Sequence, residues 1–283
     1  MHRVIKVNKK SFKVFLDNKE VECFYKGQNL WNNHKIFVGD FVEIVQKDDK
    51  YILEKIHERK NFLYRPNVAN VDRAVIVTSL ENSAKDTFIL NKYISFIELN
   101  NIKPVLLFTK KDVKNDIFFN IANNYKKLNY ATFFISNNQI DKEYDLFKKE
   151  ISNGLNVFTG LTGAGKSTTL NNILNNQIQK TQEVSEYTKR GKNTTTSSEI
   201  FLYKDGFIID TPGFSSFEIK DFTKLDIARS YGFLKDNFNK CKFKDCLHTP
   251  ETPSCFIIEF VNNNEHVKIM YEDYLKLIQE VKY

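Results

Sequence analysis

Cysteine is scarce in this chain, with four among 283 residues, and no apolar run approaches the length of a membrane span. A chain of this length can bury a sizeable core, so it needs no disulfide framework. A transmembrane helix needs about 18 or more consecutive apolar residues. The first residues, beginning Met1-His2-Arg3, lack the apolar stretch and small-residue cleavage site of a secretory signal. We therefore expect a cytoplasmic protein without a membrane segment.

The composition is that of a globular protein, with 41% hydrophobic, 27% charged and 14% aromatic residues. Its length fits one large domain with small additions, or two to three domains. Charge is uneven, because residues 1–65 hold 14 Lys and Arg against 9 Asp and Glu, whereas residues 217–283 hold 10 against 11. A basic N-terminal part suits the phosphate backbone of a nucleic acid, although a solvated lysine-rich surface has the same composition.

Residues 1–64 consist of short β-type runs separated by polar turns, without a helical period. Five of these runs are predicted as strands, over 4–7, 11–16, 21–25, 41–46 and 51–56. Five such strands fit a small barrel. Residues 38–44, a Gly-Asp turn followed by alternating apolar residues, are typical of an OB-type barrel, a class that commonly binds nucleic acid. An SH3-like barrel is the alternative.

From residue 70 onward apolar runs alternate with segments of helical spacing. Strands are predicted over 71–80, 103–108, 130–136 and 155–159, and helices over 87–100, 114–128 and 141–152. This β-α-β-α-β-α-β pattern predicts a parallel sheet covered on both faces. Residues 200–213 predict two further strands joined by a tight turn at Lys204-Asp205-Gly206, the second ending at Asp210.

The strongest single motif is a glycine-rich loop between a strand and a helix. A Gly-x4-Gly-Lys-Ser pattern follows the strand 155–159 and opens a helix predicted over 168–174. Backbone N–H groups of such a loop face the phosphates of a nucleotide, Lys166 reaches the β and γ oxygens, and Ser167 offers its hydroxyl to Mg²⁺. A chance match is the alternative, and the flanking strand and helix count against it. The predicted phosphate contacts are Gly160, Leu161, Thr162, Gly163, Ala164, Gly165, Lys166, Ser167 and Thr168.

Two downstream segments carry residues that could respond to the γ-phosphate. Asp210-Thr211-Pro212-Gly213 ends a predicted strand, where Asp210 would hold the Mg²⁺ shell through water and the Gly213 amide would approach the γ-phosphate. Between this segment and the phosphate loop, a polar stretch contains Thr194-Thr195-Thr196. It is suited to a switch loop, and Thr195 is predicted to close over Mg²⁺.

Thr109-Lys110-Lys111-Asp112 ends the strand 103–108, at the carboxyl edge of the predicted sheet, where such sheets bind ligands. The Asp112 carboxylate can accept from N1–H and the N2 amino group of guanine, an arrangement that adenine lacks. The Lys110 stem can lie on the base plane. Ser136-Asn137, after the strand 130–135, is predicted to add a base contact through backbone amides. The motif therefore predicts selection of GTP over ATP.

The order of the two motifs is informative, because in most GTPases the phosphate loop precedes the guanine-reading Lys-x-Asp. Here Lys110 and Asp112 precede Gly160, which indicates a circular permutation. A P-loop ATPase or kinase with a chance Thr-Lys-x-Asp is the competing interpretation.

Three of the four cysteines cluster as Cys241-x4-Cys246-x-His248-x6-Cys255. In a reducing compartment, three thiolates and an imidazole predict a closed tetrahedral zinc site that staples a small subdomain and leaves no open position for catalysis. Unliganded thiols are the alternative. Cys23 lies far away and is predicted to be an ordinary buried thiol.

Together these segments resemble one family, the ribosome small subunit-dependent GTPases (RsgA, also called YjeQ or YloQ), and the resemblance covers nearly the whole chain. It is carried by residues 65–72 (Arg-Pro-Asn-Val-Ala-Asn-Val-Asp), the Thr-Lys-x-Asp motif, the phosphate loop, the threonine run, Asp210-Thr211-Pro212-Gly213-Phe214 and the Cys/His cluster. It implies an OB-type barrel over 1–64, a circularly permuted α/β GTPase domain over 65–216, and a mostly helical zinc domain over 217–283.

The same resemblance implies a role in late maturation of the small ribosomal subunit. The protein would bind the subunit and its rRNA in the GTP state, together with assembly factors, and hydrolyse GTP on stimulation by the subunit. GTP or GDP, Mg²⁺ and one structural Zn²⁺ are the expected cofactors, and a monomer is the expected state. A zinc-stapled RNA-binding assembly protein, in which the nucleotide is only a structural ligand, is the alternative from another class.

Two positions depart from what such enzymes use to activate water. Phe214 stands where Ras-like GTPases have a water-orienting Gln, and Asn193 stands where many members of the resembled family have a histidine before the threonine run. Asn can position a water but cannot act as a general base near neutral pH. The predicted catalytic residues are Lys166, Asn193 and Thr195, with slow intrinsic turnover and a group contributed by the ribosome as the alternative to Asn193.

Overall fold

The computed structural model describes residues 1–16, 19–25, 35–64, 66–81, 87–178, 199–210 and 222–281. Its N-terminal part is a closed five-stranded barrel with the strand order β1-β2-β3-β5-β4. Strands β3 and β5 pair in parallel, and the other neighbours are antiparallel. This Greek-key order is that of an OB-type barrel, as predicted, rather than an SH3-like one. The strands are β1 (His2–Val7), β2 (Ser11–Leu16), β3 (Lys19–Phe24), β4 (Phe41–Lys47) and β5 (Lys50–Ile56).

A short hairpin joins the barrel to the central sheet, formed by β6 (Phe62–Tyr64) and β7 (Asn67–Ala69). Behind it, Arg3 of β1 donates to the Asn70 carbonyl at 3.0 Å and pairs with Asp72 at 3.4 Å. Asp72 also accepts from the Leu155 amide at 2.7 Å. The barrel is therefore tied to the strand that leads into the phosphate loop.

The central sheet has six strands in the order β10-β9-β8-β11-β13-β12, all parallel except the edge strand β12. The strands are β8 (Arg73–Ser79), β9 (Lys103–Thr109), β10 (Ala131–Phe134), β11 (Asn153–Gly160), β12 (Glu199–Tyr203) and β13 (Asp205–Asp210). Side chains alternate across β8, so that Ala74 and Ile76 enter one core and Val75 and Val77 the other. Both faces are covered, as the predicted alternation requires.

The connecting helices are α1 (Thr87–Leu99), α2 (Asp116–Lys127), α3 (Lys142–Glu150) and α4 (Lys166–Ile178). The C-terminal part is helical, as predicted, with α5 (Lys224–Ala228), α6 (Gly232–Lys235), α7 (Phe256–Asn263) and α8 (Lys268–Glu280). In the described parts of the chain, no helix has both the length and the apolarity to cross a membrane.

The C-terminal helices pack on the sheet face that α1 and α2 cover, and their apolar side chains join the same core. A buried polar chain crosses this junction: the Asn91 amide of α1 donates to Asp273 of α8 at 2.8 Å, and the Tyr125 hydroxyl of α2 donates to Asn91 at 2.9 Å. Buried and mutually satisfied polar groups of this kind fix one arrangement of the packed elements. The C-terminal helices are thus held firmly against the central sheet and its helices.

Candidate nucleotide site and metal centre

The glycine-rich loop lies at the carboxyl end of the sheet, between the end of β11 at Gly160 and the start of α4 at Lys166. The helix begins two residues earlier than predicted, so its free N–H groups lie within the motif itself. Gly160 passes so close to β8 that a Cβ there would lie 2.2 Å from the Val77 carbonyl oxygen. Gly165 has a left-handed φ of +81°, which favours glycine. Only glycine fits this loop at these two positions.

Lys166 projects toward β13 and forms an ion pair with Asp210. The two side chains are 16% and 27% exposed, so solvent only partly screens the pair. β13 lies beside β11 with Phe158 opposite Asp210, which places the carboxylate at the same end of the sheet as the loop. Ser167 and Thr168, in the first turn of α4, are exposed toward solvent. An ammonium, a carboxylate and two hydroxyls thus border one open site.

The guanine-motif residues lie directly beside this loop. The Thr109 hydroxyl, at the end of β9, donates to the Ala164 carbonyl at 2.6 Å. The chain then turns through Lys110, which has a left-handed φ of 57°, into a 3-10 turn at Lys111–Val113. The two motifs, far apart and in reversed order along the chain, therefore form one continuous site.

Asp112 is exposed, and its carboxylate is hydrogen-bonded to residues of the loop after β10. The Ser136 hydroxyl and the Asn138 amide, the latter at 3.3 Å, are hydrogen-bonded to Asp112. These bonds, with Ser136 the larger contributor, lower the pKa of Asp112 and keep it ionised as an acceptor. Lys110 forms an ion pair with Glu81. Sequence reasoning missed Asn138 and Glu81, because a polar residue in a loop carries no pattern that identifies its partner.

Several predicted residues cannot be placed. Asn193, Thr195, Gly213 and Phe214 lie outside the described residues. Their roles stay predictions.

The Cys241, Cys246, His248 and Cys255 side chains meet in one cluster, with their ligand atoms all within 4.8 Å of one another. Cys246 Sγ lies 3.6 Å from Cys255 Sγ, and Cys241 Sγ lies 3.9 Å from it. A tetrahedral zinc with Zn–S bonds of about 2.3 Å places its sulfurs about 3.8 Å apart. The spacing therefore fits four ligands around one ion.

The cluster is buried, which favours the neutral forms of its side chains when no cation is bound. Burial raises the pKa of Cys246 to about 12 and lowers the pKa of His248 to about 4. A bound dication would instead stabilise the thiolates. The Tyr271 and Tyr274 hydroxyls of α8 donate to the His248 and Leu247 carbonyls at 2.6 and 2.5 Å, which fixes the loop that carries the imidazole. These four residues could hold one metal ion.

Comparison with known proteins identifies relatives over nearly the full chain. The protein named "Small ribosomal subunit biogenesis GTPase RsgA" from Malacoplasma penetrans is 41% identical over 250 residues, 87% of this chain and 86% of its own length. The protein of the same name from Clostridium botulinum (strain Langeland) is 36% identical over 269 residues, 94% and 91% of the two chains.

Solved structures agree with this. The crystal structure of YloQ, described as a circularly permuted GTPase, superimposes with a TM-score of 0.81 at 26% identity, covering 99% of this chain and 93% of that one. YjeQ from Thermotoga maritima gives a TM-score of 0.78 at 26% identity, covering 99% and 97%.

The family model described as RsgA GTPase matches residues 56–220, from the end of the barrel past β13. This span includes the guanine motif, the phosphate loop and Asp210. The competing interpretation as an ATPase or kinase is therefore wrong. The chain belongs to the RsgA GTPase family, and it is an enzyme that hydrolyses GTP.

Proposed function

We propose that this GTPase acts in late maturation of the small ribosomal subunit, binding the subunit in the GTP state and leaving it after hydrolysis. The observation that carries the proposal is the Thr109–Ala164 hydrogen bond, which joins guanine and phosphate motifs into one site in a chain 36–41% identical to proteins named for small-subunit biogenesis. Its partners are the subunit, its rRNA and assembly factors. It works in the cytoplasm as a monomer.

The residues at the site divide the work of phosphate binding. Lys166 neutralises the β- and γ-phosphates, while Ser167, Asp210 and Thr195 hold Mg²⁺, and the Gly213 amide contacts the γ-phosphate. Asp210 is paired with Lys166 in the structure. Nucleotide binding must therefore draw Lys166 away from the carboxylate, which leaves Asp210 free to face the Mg²⁺ shell.

The chain has no strong candidate, among its predicted catalytic residues, for activating the attacking water. Asn193 can orient a water molecule but cannot remove its proton near neutral pH, and Phe214 has no hydrogen-bonding group. Intrinsic turnover is therefore slow. The small subunit accelerates it, and the group that acts on the water is either Asn193 or one that the ribosome contributes.

The metal of the Cys/His cluster is zinc, and its role is structural. Four protein ligands complete a tetrahedral shell, so no position remains for a reacting water. Ion binding fixes the loop between α6 and α7 against α8, and this region contributes to the grip on rRNA together with the basic barrel.

The bound nucleotide, GTP or GDP, controls the affinity of the protein for the small subunit. A ligand shifts a binding equilibrium only by its different affinity for two conformations. GTP and GDP must therefore give different affinities for isolated small subunits. Equal affinity in the two states would remove the switch from the proposal.

The direct test is the rate of GTP hydrolysis with and without purified small subunits. We expect stimulation for the unaltered chain and none for Lys166→Ala. If the unaltered chain binds the subunit without any stimulation, the alternative from the binding-protein class, with nucleotide as a structural ligand, takes precedence.

A further inference from the structure

The loop after β10 is attached to the phosphate-loop helix at Asn137. Asn137 Oδ1 lies 3.1 Å from the Thr169 hydroxyl of α4, and Asn137 Nδ2 lies 3.5 Å from the Gly165 carbonyl. From the helix side, the Asn172 amide donates to the Asn137 carbonyl at 2.9 Å. Both the side chain and the backbone of Asn137 are therefore held by the element that begins in the phosphate loop.

The environment makes these bonds consequential. Thr169 is fully buried, so its hydroxyl is satisfied by protein atoms and not by water. Its single proton is directed to Asn137 Oδ1 or to the Gly165 carbonyl, which lies 3.0 Å away. Within the part of the chain that the structure describes, Asn137 supplies the side-chain acceptor through which this hydroxyl connects α4 to the loop after β10.

The neighbours of Asn137 are the groups that hold the guanine-reading carboxylate. Ser136 precedes Asn137 and Asn138 follows it. The Ser136 hydroxyl and the Asn138 side-chain amide both contact the Asp112 carboxylate. Asp112 itself is exposed and makes no contact with the phosphate loop through its carboxylate among the interactions of the described residues. Its position relative to the phosphates therefore depends on how firmly the 136–138 loop is fixed.

We propose that Asn137 is a positioning residue for guanine specificity, which fixes the 136–138 loop to α4 and thereby sets Asp112 at the correct distance from the phosphate site. Asn137 does not touch the base through its side chain. It acts through Ser136 and Asn138, so its loss weakens the contacts that Asp112 makes and leaves phosphate binding by the loop and Lys166 intact.

Guanine and hypoxanthine nucleotides separate these effects. Both bases offer N1–H to Asp112, but only guanine adds the N2 amino group, so the ratio of the Kd values for IDP and GDP reports how well the carboxylate is placed. We expect Asn137→Ala to weaken GDP binding about five- to tenfold and IDP binding by a smaller factor, because IDP makes only one of the two contacts with Asp112. The KM for GTP hydrolysis should rise while kcat changes little.

Three further variants make the test specific. Gln139→Ala, at the exposed neighbouring position, should leave both affinities unchanged. Asn137→Asp retains the acceptor for the Thr169 hydroxyl and should recover part of the IDP to GDP ratio. Asp112→Asn should abolish the preference for GDP over IDP, and if it does not, the assignment of the guanine site fails independently of Asn137.

An unchanged ratio of Kd values in a folded Asn137→Ala variant, or an equal loss for GDP and IDP, would overturn the proposal. If Asn137→Ala lowers the Tm sharply, Thr169→Val carries the same test, because it removes the partner hydroxyl at nearly constant volume. It should then reduce the ratio in the same direction, and an unchanged ratio would again overturn the proposal.

Discussion

Thr109 and Ala164 are 55 positions apart in the chain, yet the hydroxyl of the first donates to the carbonyl of the second at 2.6 Å. Thr109 ends β9 and begins the guanine motif, and Ala164 lies within the phosphate loop. The parallel strands β9, β8 and β11 are consecutive in the sheet, so their carboxyl ends meet at one edge. Circular permutation changes the order along the chain and leaves this edge intact.

The Thr109 hydroxyl should be needed for tight nucleotide binding. Thr109→Val keeps the shape but leaves the buried Ala164 carbonyl without its partner, at a cost of about 1–3 kcal/mol. The lost hydrogen bond destabilises the loop conformation that binds the phosphates. We therefore expect GDP affinity to fall about tenfold. Thr109→Ser retains the hydroxyl and should remain within about threefold of the unaltered chain. Equal behaviour of the two variants in GDP titrations would contradict this.

Asp210 should compete with phosphates for Lys166 when Mg²⁺ is absent. A partly exposed ion pair is worth up to about 1 kcal/mol, so Asp210→Asn should bind GDP about two- to fivefold more tightly in Mg²⁺-free buffer. With Mg²⁺ present, the same variant should hydrolyse GTP more slowly, because a carboxylate of the metal shell is lost. Asp205→Asn, at the exposed opposite end of β13, serves as the matched control. Weaker GDP binding by Asp210→Asn without Mg²⁺ would refute the competition.

The Cys/His cluster should hold about one zinc ion per chain. Cys246→Ser and His248→Ala should each lose the ion and lower the Tm, since an ion that binds only the folded state stabilises it. Cys23→Ser changes a buried thiol of the barrel and should keep full zinc content. Elemental analysis of the purified variants measures this, and retention of zinc by His248→Ala would exclude the imidazole as a ligand.

Glu98 should make stability depend on pH. Burial raises its pKa to about 8, although the Tyr130 hydroxyl, 3.3 Å away, and Lys235 favour the charged form and Asp236 opposes it. The folded state therefore binds this proton more tightly than the unfolded chain. The associated stability is present in full below the ordinary pKa of 4.5 and is lost as the pH rises through about 8.

Glu98→Gln resembles the protonated carboxyl at every pH. Its stability relative to the unaltered chain should therefore increase between pH 5 and pH 9, as measured by denaturant unfolding at both values. Glu280→Gln, which removes a more exposed carboxylate paired with Lys92 on α1, is the control for a general charge effect. A difference that stays constant with pH would show that Glu98 titrates normally.

Local patterns in the sequence predicted most of the architecture. The barrel strands alternate and end at Gly and Asp turns, and the buried strands between helices are continuous apolar runs, so both signals are strong. The helix α4 begins at Lys166, two residues before the predicted start, because the left-handed turn at Gly165 leads directly into the helix and the motif itself forms the helix N-terminus. The cluster of Cys241, Cys246, His248 and Cys255 could be predicted because Cys and His at such short spacing are typical of a metal site.

What could not be predicted are the contacts between polar residues of different elements. Asn137 was a candidate base contact, but nothing in the sequence identified its partner Thr169, nor Asp273 as the partner of Asn91 or Tyr130 as the partner of Glu98, because each partner lies on another element. Such contacts depend on tertiary packing, which no local periodicity encodes. The same holds for the shared core beneath α8, since an amphipathic helix shows that it packs but not on which surface.

Asp112 is expected to bind the guanine base in the same pocket in which Lys166 and Gly165 bind the phosphates. Binding of GDP and XDP to the unaltered chain and to Asp112→Asn tests it most directly. We expect the unaltered chain to prefer GDP strongly and the variant to prefer XDP, because an amide donates where the carboxylate accepted. An unaltered preference for GDP in Asp112→Asn, with the variant folded, would contradict the account.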